Sequence, residues 1–380
     1  MSRDIRTIGD IGNTYTGLSG KTKDDFGHGD ALYITFLNVL NNPIIDSSIF
    51  EKVDVKKGEK QNQCKKGDLF FNTSSETPEE VGMCAYLADD VPDLYLNSFC
   101  FGFHIKDKDI DGRYLSYYFR GKQGRKLMTM LAQGATRYNL SKENFMASEI
   151  ELPMSNEQKR IATALYDIDT LIRNLDRTIE KKKNIRQGAM EQLLSGKKRL
   201  PGFKGEWEQV EIGNVCKRMK RGEVLSAAEM NTGVFPVIAA GTEPAGHCDK
   251  YNRNPMTISV SGSGANAGFV AFHKNRIFAT DCFTIGASEE YDVEFIYYVL
   301  KMRQKEIFKL QTGGAQPHVY PRDLSSMSVY YTADLQEQRA IADTLTAMDD
   351  EIAVLQMERD KYANIRSGMM DDLLSGAKRI

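Results

Sequence analysis

The chain repeats a long segment of its own sequence. Residues 157–199 align with residues 337–379 at a constant offset of 180 without gaps, and about twenty of the forty-three aligned positions are identical. Both segments close on Leu-Leu-Ser-Gly, and the same offset reaches back to tyrosine pairs at 117–118 and 297–298. A repeat of this length predicts a duplicated architecture.

The repeated segments have the periodicity of coiled-coil helices. Apolar residues step by four and three from Ile161 to Ile179, and again from Ile341 to Leu355, which is the spacing of a coiled-coil seam. A helix of roughly 40 residues is about 60 Å long, too long for the interior of a small domain. The predicted end signals are the capping boxes Ser155/Gln158 and Asp334/Glu337 and the terminal glycines Gly196 and Gly376.

Charge predicts that the two helices pair with each other. Residues 153–199 carry eleven basic and six acidic side chains, whereas residues 333–380 carry six and ten, although the whole chain has a net charge of only −2. Opposite charge and matching seams favour pairing the two helices with each other. Because each helix follows a similar globular half, an antiparallel pseudo-twofold arrangement would put a globular region at each end of a rod. The alternative is that each helix packs only on its own globular half.

The remaining sequence predicts two mixed α/β regions, so the fold class is α+β with a pseudo-twofold repeat. Apolar runs between Gly, Asn and Ser predict strands at 68–72, 99–105, 210–215, 256–260, 268–272 and 277–279, and helices are predicted at 113–131 and 292–310. The predicted division is a globular domain at 1–152, a long helix at 153–199, a second globular domain at 200–332 and a second long helix at 333–380.

Several classes of protein are disfavoured. No apolar run reaches the roughly 18 residues of a membrane span, and the N-terminus lacks the apolar core of a signal peptide, so we expect a cytoplasmic protein. Six scattered cysteines without a C-x-x-C pair predict buried thiols. The histidines form no metal motif, and no phosphate loop or nucleophile motif is complete. A dispersed carboxylate site stays open.

Basic clusters are candidates for contact with DNA. The densest is the run of Lys and Arg at 217–221, and smaller clusters lie at 65–66 and 121–126. Such side chains hold phosphates, while neighbouring polar side chains can reach base edges. Two such regions on one rigid spacer suit a bipartite site whose halves lie about one helical turn apart. The alternative for each cluster is a solvated surface.

On these features the sequence resembles the specificity subunit of type I restriction-modification enzymes. The resemblance rests on Gly67–Phe71 followed by Thr73–Thr77, on Gly314–His318, and on the tandem segments that begin near Leu152 and Glu337 and close on Leu-Leu-Ser-Gly. It covers essentially the whole chain, in the family's order of recognition domain, helix, recognition domain, helix.

The resemblance implies a division of labour between subunits. Each target-recognition domain would read one half of a split double-stranded DNA sequence, and the antiparallel helices would set the gap. Two modification subunits would dock on the helices and two restriction subunits could join. S-adenosylmethionine, ATP and magnesium would be used by those partners, which would methylate a flipped-out adenine, and this chain would be non-catalytic. It contains no N-P-P-[YF] or D-P-P-[YF] motif and no Walker loop.

The loops favoured for DNA contact supply a set of candidate residues, for each of which a surface or fold-supporting role is the alternative. They are Lys21, Lys23, Asn72, Thr73, Arg137 and Tyr138 in the first domain, and Lys217, Lys220, Arg221, Ser263, Asn266, Gln316 and His318 in the second.

Two questions stay open from the sequence. Polar residues at seam positions, namely Lys182, Arg186, Arg359 and Tyr362, depart from an ideal coil and leave the helix register undetermined. The other function classes are a structural protein whose coiled coil mediates assembly and whose globular ends bind protein, and an enzyme that acts on DNA by itself.

Overall fold

A computed structural model describes residues 4–380. The chain forms two compact units: the first runs to Leu175 and includes Glu358–Ile380, and the second is Asp176–Met357. Both long helices pass through the boundary between the units, so each unit holds one globular region and a part of each helix. The two units are described separately.

The first unit is mainly short strands followed by helices. In chain order its elements are β1 Asp4–Thr7, α1 Ile8–Ile11, β2 Gly12–Thr16, β3 Phe26–Ile34, α2 Phe36–Asn41, β4 Glu51–Val53, β5 Leu69–Asn72, β6 Ser74–Ser75, β7 Cys84–Tyr86, β8 Leu94–Leu96, β9 Cys100–Ile105, α3 Gly112–Arg120, α4 Lys122–Leu131, β10 Ala132–Gln133, β11 Tyr138–Leu140, α5 Lys142–Ala147, β12 Glu149–Leu152 and the first part of α6 Ser155–Leu193. Short 3-10 turns lie at Lys23–Asp25, Ser47–Ile49 and Pro78–Glu80.

Four small sheets form the first globular region. An antiparallel sheet has the order β2-β9-β5-β7, a second has the order β4-β3-β8 with β3 and β8 parallel, a third has the order β10-β11-β6, and β1 pairs with β12. The central strand β5 is buried along its whole length. Its alternate side chains Phe70 and Phe71 therefore enter two different apolar clusters, as the two faces of a strand require.

The second unit repeats this plan. Its elements are the last part of α6, β13 Glu208–Glu211, α7 Ile212–Val215, β14 Met219–Arg221, β15 Phe235–Ile238, β16 Gly246–Cys248, β17 Thr257–Ser261, β18 Val270–His273, β19 Phe278–Ala279, β20 Cys282–Ile285, α8 Val293–Met302, α9 Gln304–Lys309, α10 Pro321–Ser325, β21 Ser328–Tyr331 and the first part of α11 Leu335–Ser375. A 3-10 turn lies at Ala227–Glu229.

The sheets of the second unit correspond to those of the first. A four-stranded antiparallel sheet has the order β14-β20-β17-β18, a three-stranded sheet has the order β16-β15-β19 with one parallel pair, and β13 pairs with β21. In both units the strand that opens the globular region pairs with the strand just before the long helix. The main core of the second unit packs this four-stranded sheet, α8 and both long helices together.

The long helices run antiparallel inside each unit. In the first unit, Ile161 and Leu165 near the start of α6 share a cluster with Leu373 and Leu374 at the end of α11. In the second unit the order is reversed: the end of α6 packs against the start of α11, where Ile341 and other seam residues lie. The predicted antiparallel pairing is confirmed, and each helix also packs on a globular core.

Charged seam residues pair across the helices. The Lys182 ammonium lies 2.6 Å from the Glu351 carboxylate, and Arg186 lies 2.5 Å from Asp349. In the first unit Arg366 pairs with Asp169. Two of the departures from an apolar seam, Lys182 and Arg186, are therefore satisfied by ion pairs across the helices, whereas Arg359 pairs with the adjacent Asp360.

The helix ends differ in part from the prediction. Gly196 and Gly376 both adopt positive φ, 68° and 78°, as terminal glycines do. Asp334 caps α11, because its carboxylate accepts the backbone N–H of Gln336 at 2.9 Å. The predicted capping box at Ser155 is wrong, since α6 already includes Ser155 and the Gln158 amide instead donates to the Pro153 carbonyl at 2.8 Å.

The repeat shifts by one residue in front of the helices. The Tyr117 hydroxyl donates to Asp169 at 2.8 Å, and in the second unit the hydroxyl of Tyr298, rather than Tyr297, donates to Asp349 at 2.9 Å. The structural offset there is thus 181 instead of 180. The second unit has one residue fewer between this tyrosine and its aspartate, at a separation of 51 rather than 52 positions, and the hydrogen bond is kept.

Three local predictions need correction. The strand expected at 210–215 ends at Glu211, and α7 follows it. Ile212 is buried in the core and begins a helical turn, in which the Ile212 carbonyl accepts the Cys216 N–H at 2.7 Å. The helix expected at 113–131 is broken at Gly121 into α3 and α4. The helix expected at 292–310 is likewise broken, at Arg303, into α8 and α9. The division of the chain at residues 152, 199 and 332 stays a prediction.

Candidate nucleic-acid interface

A loop in the first unit carries two of the sequence candidates. It joins β10 to β11, and β11 lies beside β6, with Tyr138 opposite Ser75. Arg137, just before β11, is exposed, and Tyr138 is half-buried. Thr73 directly precedes β6, and its hydroxyl donates to the Phe99 carbonyl at 2.9 Å. The small sheet therefore brings Thr73, Arg137 and Tyr138 into one area.

The second unit has a matching loop. Thr312 and His318 exchange backbone hydrogen bonds of 2.9 and 2.8 Å across it, and His318 lies opposite Ser263 as Tyr138 lies opposite Ser75. Gln316 is exposed within the loop. Tyr138 and His318 align at the offset of 180, so the duplication includes these loops as well as the helices.

Asn72 holds the backbone next to the first loop by hydrogen bonds from its side chain. Its side chain is fully buried, and its amide donates to the carbonyls of Ser74 at 3.2 Å and Glu80 at 2.9 Å. Its carbonyl oxygen accepts the Met83 N–H at 2.6 Å. These bonds occupy the amide, so Asn72 is placed to hold β6 rather than to contact DNA.

Two half-buried arginines from α3 and α4 hold the neighbouring loops. Arg125 donates to the carbonyls of Glu79, Val81 and Gly82 at 2.7, 2.6 and 3.2 Å. Arg120 donates only to backbone carbonyls, and burial lowers the pKa of its guanidinium to about 10. Arg125, which belongs to the basic cluster at 121–126, is therefore half-buried and holds backbone carbonyls, whereas the sequence alone predicts a surface patch.

A cleft of about 240 Å³ lies beside the second loop. Arg221, His318 and Tyr320 are among the residues that line it. The rings of His318 and Tyr320 stack with centroids 6.0 Å apart, and the Arg322 guanidinium lies 5.2 Å from the centre of the Tyr320 ring. Flat aromatic and guanidinium groups of this kind can stack on bases. The sequence analysis did not include Tyr320 and Arg322 among the candidates for DNA contact. Their position shortly after His318 is the one sequence feature that could have indicated them.

Ser263 and Arg221 meet this cleft in different ways. Ser263 is buried, and its hydroxyl donates to the carboxylate of Asp281, which lines the cleft. Arg221 is exposed at the end of the edge strand β14. Asn266 is half-buried in the β17–β18 turn, where its backbone carbonyl accepts the Phe269 N–H at 2.9 Å.

Lys220 faces the other side of β14, because alternate residues of a strand point in opposite directions. With Lys217 it lines a second cavity of about 640 Å³ whose wall also contains Arg253 and Glu290. Lys217 lies 3.4 Å from Glu290, and both side chains are largely exposed. The candidates of the second domain therefore fall on two faces, with Arg221 on one and Lys217 and Lys220 on the other.

Lys21 and Lys23 are separate from the first loop. The Lys21 ammonium is buried between the Asp54 carbonyl at 2.6 Å and the Glu59 carboxylate at 2.7 Å, with its side chain only 6% exposed. The Lys21 hydrogen bond lowers the pKa of Glu59 to about 2. Lys21 is thus engaged within the fold, whereas Lys23 is exposed in a 3-10 turn.

Other groups of chemical interest are part of the fold. All six cysteines are free and buried, as predicted, and burial raises the pKa of Cys282 to about 11. In residues 4–380 no three His, Cys, Asp or Glu side chains gather in a metal-binding arrangement. Over the same residues no helix combines the length and the apolar character that crossing a membrane requires.

Two α/β units with matching exposed loops, each joined to a part of the same two antiparallel helices, define a class of duplicated two-domain proteins. A family model described as "Type I restriction modification DNA specificity domain" matches residues 3–184 and 204–361. The chain belongs to this family.

Known proteins agree with this assignment. The chain is 24% identical over 317 residues to the MjaVIII specificity subunit of a type I restriction enzyme from Methanocaldococcus jannaschii, covering 72% of each. Its fold is similar to the crystal structure of the S subunit of a type I restriction-modification system from M. genitalium, with a TM-score of 0.72, 21% identity and coverage of 98% and 96%. A structure from work on complex assembly of the type I system gives 0.55 at 14% identity, covering 98% and 97%.

Proposed function

We propose that each globular region reads one half of a bipartite DNA sequence through its exposed loop. The observation that carries this proposal is the duplication of the loop: Tyr138 and His318 occupy equivalent positions, each opposite a serine of a neighbouring strand. The loops differ in their exposed side chains, since Arg137 of the first aligns with Pro317 of the second. Two equivalent positions with different side chains suit two different half-sites.

The proposed contacts divide into positioning and readout. Lys23 in the first domain and Lys217 and Lys220 in the second are exposed and would contact phosphates, which fix the orientation of the protein on the duplex. Arg137 and Gln316 would contact base edges from the loops. Asn72 and Lys21 are left out of this interface because their polar atoms are engaged inside the fold.

Tight binding of the duplex requires additional phosphate contacts from other subunits. The globular regions are not basic overall, at −3 for residues 1–152 and 0 for residues 200–332, and a protein that binds DNA alone relies on many phosphate contacts. We propose that two modification subunits dock on the long helices and that two restriction subunits can join. Those partners would use S-adenosylmethionine, ATP and magnesium, and this chain would be non-catalytic.

Mobility-shift measurements test the proposal, with the chain alone and with its purified modification subunit. Methylome sequencing of a host that expresses both supplies the candidate site. We expect sequence-dependent binding by the complex and no methylation or cleavage by the chain alone. Absence of sequence-dependent binding in both samples contradicts the proposal and favours a purely structural role. Methylation or cleavage by the pure chain would make it an enzyme in its own right.

Replacing residues 1–152 with the recognition domain of a relative tests the two-reader arrangement. Only one half of the methylated sequence should change, because the second loop is untouched. A narrower version replaces Gln316 and His318 by Ala, which should relax recognition of the other half only, by about tenfold for each lost base contact. A change in both halves from either variant contradicts the proposal.

A further inference from the structure

One position beside each exposed loop carries a very different side chain in the two units. Phe99 directly precedes β9 and Asp281 directly precedes β20, and these strands hold the same place in the two four-stranded sheets. The Phe99 carbonyl accepts the backbone N–H of Thr73 at 2.9 Å, and the Asp281 carbonyl accepts that of Gly262 at 3.2 Å. Each donor directly follows the neighbouring strand, β5 or β17, so the two positions are structurally equivalent.

Phe99 is an exposed aromatic residue on a firmly held backbone. Its side chain is 56% exposed, and its backbone N–H donates to the side chain of the buried Asn97 at 2.9 Å. The Phe99 carbonyl also accepts the hydroxyl of Thr73, a candidate for DNA contact, at 2.9 Å. An apolar ring without hydrogen-bonding atoms is therefore held beside Thr73.

Asp281 is an exposed carboxylate with one oxygen held by the fold. It lines the cleft beside the second loop, and the buried Ser263 hydroxyl donates to its Oδ2. Within residues 4–380, its Oδ1 accepts no hydrogen bond and its carboxylate forms no ion pair. The cleft therefore contains an oriented carboxylate with one oxygen available to a ligand.

A carboxylate at this place disfavours the DNA backbone and favours one kind of base edge. Its charge repels phosphates, whereas Arg221 in the same cleft attracts them. A carboxylate only accepts hydrogen bonds, and its partner in the major groove is the exocyclic amino group of cytosine. The amino group of adenine lies beside the N7 acceptor, which a carboxylate cannot satisfy, and guanine and thymine present no donor there.

The ring at the equivalent position favours a different base edge. The C5-methyl group of thymine is the apolar group that the major groove presents, and phenylalanine is one of the side chains that pack on it. Phe99 has no charge or polar atom that would favour a phosphate or a base amino group. The two equivalent positions thus suit two different bases.

We infer that Asp281 and Phe99 are specificity-determining residues. Asp281 accepts a hydrogen bond from a cytosine amino group in one half-site, and Phe99 packs on a thymine methyl group in the other. The inference rests on the proposed function and adds two base contacts, with the base that each selects. These contacts are distinct from those of Arg137 and Gln316, which lie in the exposed loops.

Base analogues test both contacts in the full chain bound to its modification subunit. The duplex is the one identified by methylome sequencing, and the exchange of residues 1–152 assigns each half-site to its domain. Single cytosines of the second domain's half-site are replaced by 2-pyrimidinone, which lacks the amino group. Single thymines of the other half-site are replaced by uracil, which lacks the methyl group.

Binding of the wild-type complex should fall about tenfold for 2-pyrimidinone at one position and about fourfold for uracil at one position. Asp281→Ala should abolish the first difference only, and Phe99→Ala should abolish the second only. Variants that sense both analogues as the wild type does would overturn the inference and leave the proposed function standing. A wild-type complex without sequence-dependent binding would overturn both.

Two further variants separate base recognition from charge and folding. Asp281→Asn keeps an acceptor for the Ser263 hydroxyl and gains a donor, so the preference at one base pair should shift from cytosine towards adenine. The matched control Asp249→Asn removes the same charge from an exposed residue outside the cleft and should strengthen binding to all duplexes alike. A uniform change over all bases in Asp281→Asn would overturn the inference.

Discussion

Arg186 lies across the helix pair from Asp349, with its Nε 2.5 Å from one carboxylate oxygen and its Nη2 3.0 Å from the other. Arg366 makes the same pair with Asp169 in the first unit. The four residues are related by the offset of 180, so one device for fixing the helix register is present twice. Each unit therefore contains its own ion pair between the two long helices.

Replacing Arg186 by Ala should lower the stability of the second unit by about 1–2 kcal/mol, because Asp349 loses its ion pair and the charge-assisted hydrogen bond from the Arg186 Nη2. Lys182→Ala is the control: its pair with Glu351 is 37% and 50% exposed, and such a pair contributes about 0.2–1 kcal/mol. The midpoint of urea unfolding measures both. Equal losses would show that the Arg186 pair does not set the register.

Arg199→Ala should be among the most destabilising substitutions in the second unit. Glu337 is fully buried, and Arg199 holds its carboxylate by two hydrogen bonds of 2.5 and 2.7 Å, with Trp207 donating a third at 3.2 Å. Removing one partner of a buried ion pair costs about 3–5 kcal/mol. Arg199→Ala with Glu337→Gln should recover part of this loss, since no buried charge is left. Urea unfolding of the two variants tests the comparison, and an equal loss in both would contradict it.

Asn72→Asp and Arg137→Ala should have opposite effects. Asn72→Asp removes the amide donor to the Ser74 and Glu80 carbonyls, which costs about 1–3 kcal/mol for unsatisfied buried groups, and the remaining folded protein should keep its DNA preference. Arg137→Ala should leave the urea midpoint unchanged, because the side chain is exposed, and should weaken specific binding. A changed DNA preference in the folded Asn72→Asp variant would show that Asn72 contacts DNA.

His273 predicts a pH dependence for the second unit. Burial lowers the pKa of its imidazole from 6.5 to about 4, with Nε2 lying 2.7 Å from the Ser259 hydroxyl oxygen. The unfolded chain therefore takes up a proton that the folded chain does not, and this residue removes stability as the pH falls from 6.5 towards 4. The slope approaches about 1.4 kcal/mol per pH unit within this window.

The control for that prediction is His273→Gln, which keeps a polar side chain but does not titrate in the window. Urea unfolding of both proteins at about pH 7 and about pH 5 isolates the contribution of His273. The wild-type protein should lose more stability than the variant between the two values. An identical loss would mean that His273 is protonated in the folded protein.

The helices were predictable because their signal is long and internally repeated. Ile161 to Ile179 hold one spacing through five turns, and no short-range alternative competes with it. Ile212 shows the opposite case, because a single apolar residue near a strand end fits a buried strand and a buried helical turn equally well. Only its tertiary surroundings in the core decide between them.

The site was less predictable because contact partners are distant in sequence. Lys21 is the type of residue that contacts phosphates, but its ammonium pairs instead with Glu59, thirty-eight residues further along the chain. Asn72 likewise binds backbone atoms that its own neighbourhood does not reveal. Arg137 and Gln316 were easier to propose, because they lie in a turn that occurs in both repeats and the internal alignment identifies that turn.

The pairing of β1 with β12 places Thr7 opposite Glu149, and the pairing of β13 with β21 places Glu211 opposite Ser328. The chain therefore enters and leaves each recognition domain at adjacent points on one two-stranded ribbon. Genetic recombination that exchanges everything between those points replaces a domain as a cassette and leaves both helices intact. New specificities can thus arise from crossovers in two short stretches of the gene, without any change in either long helix.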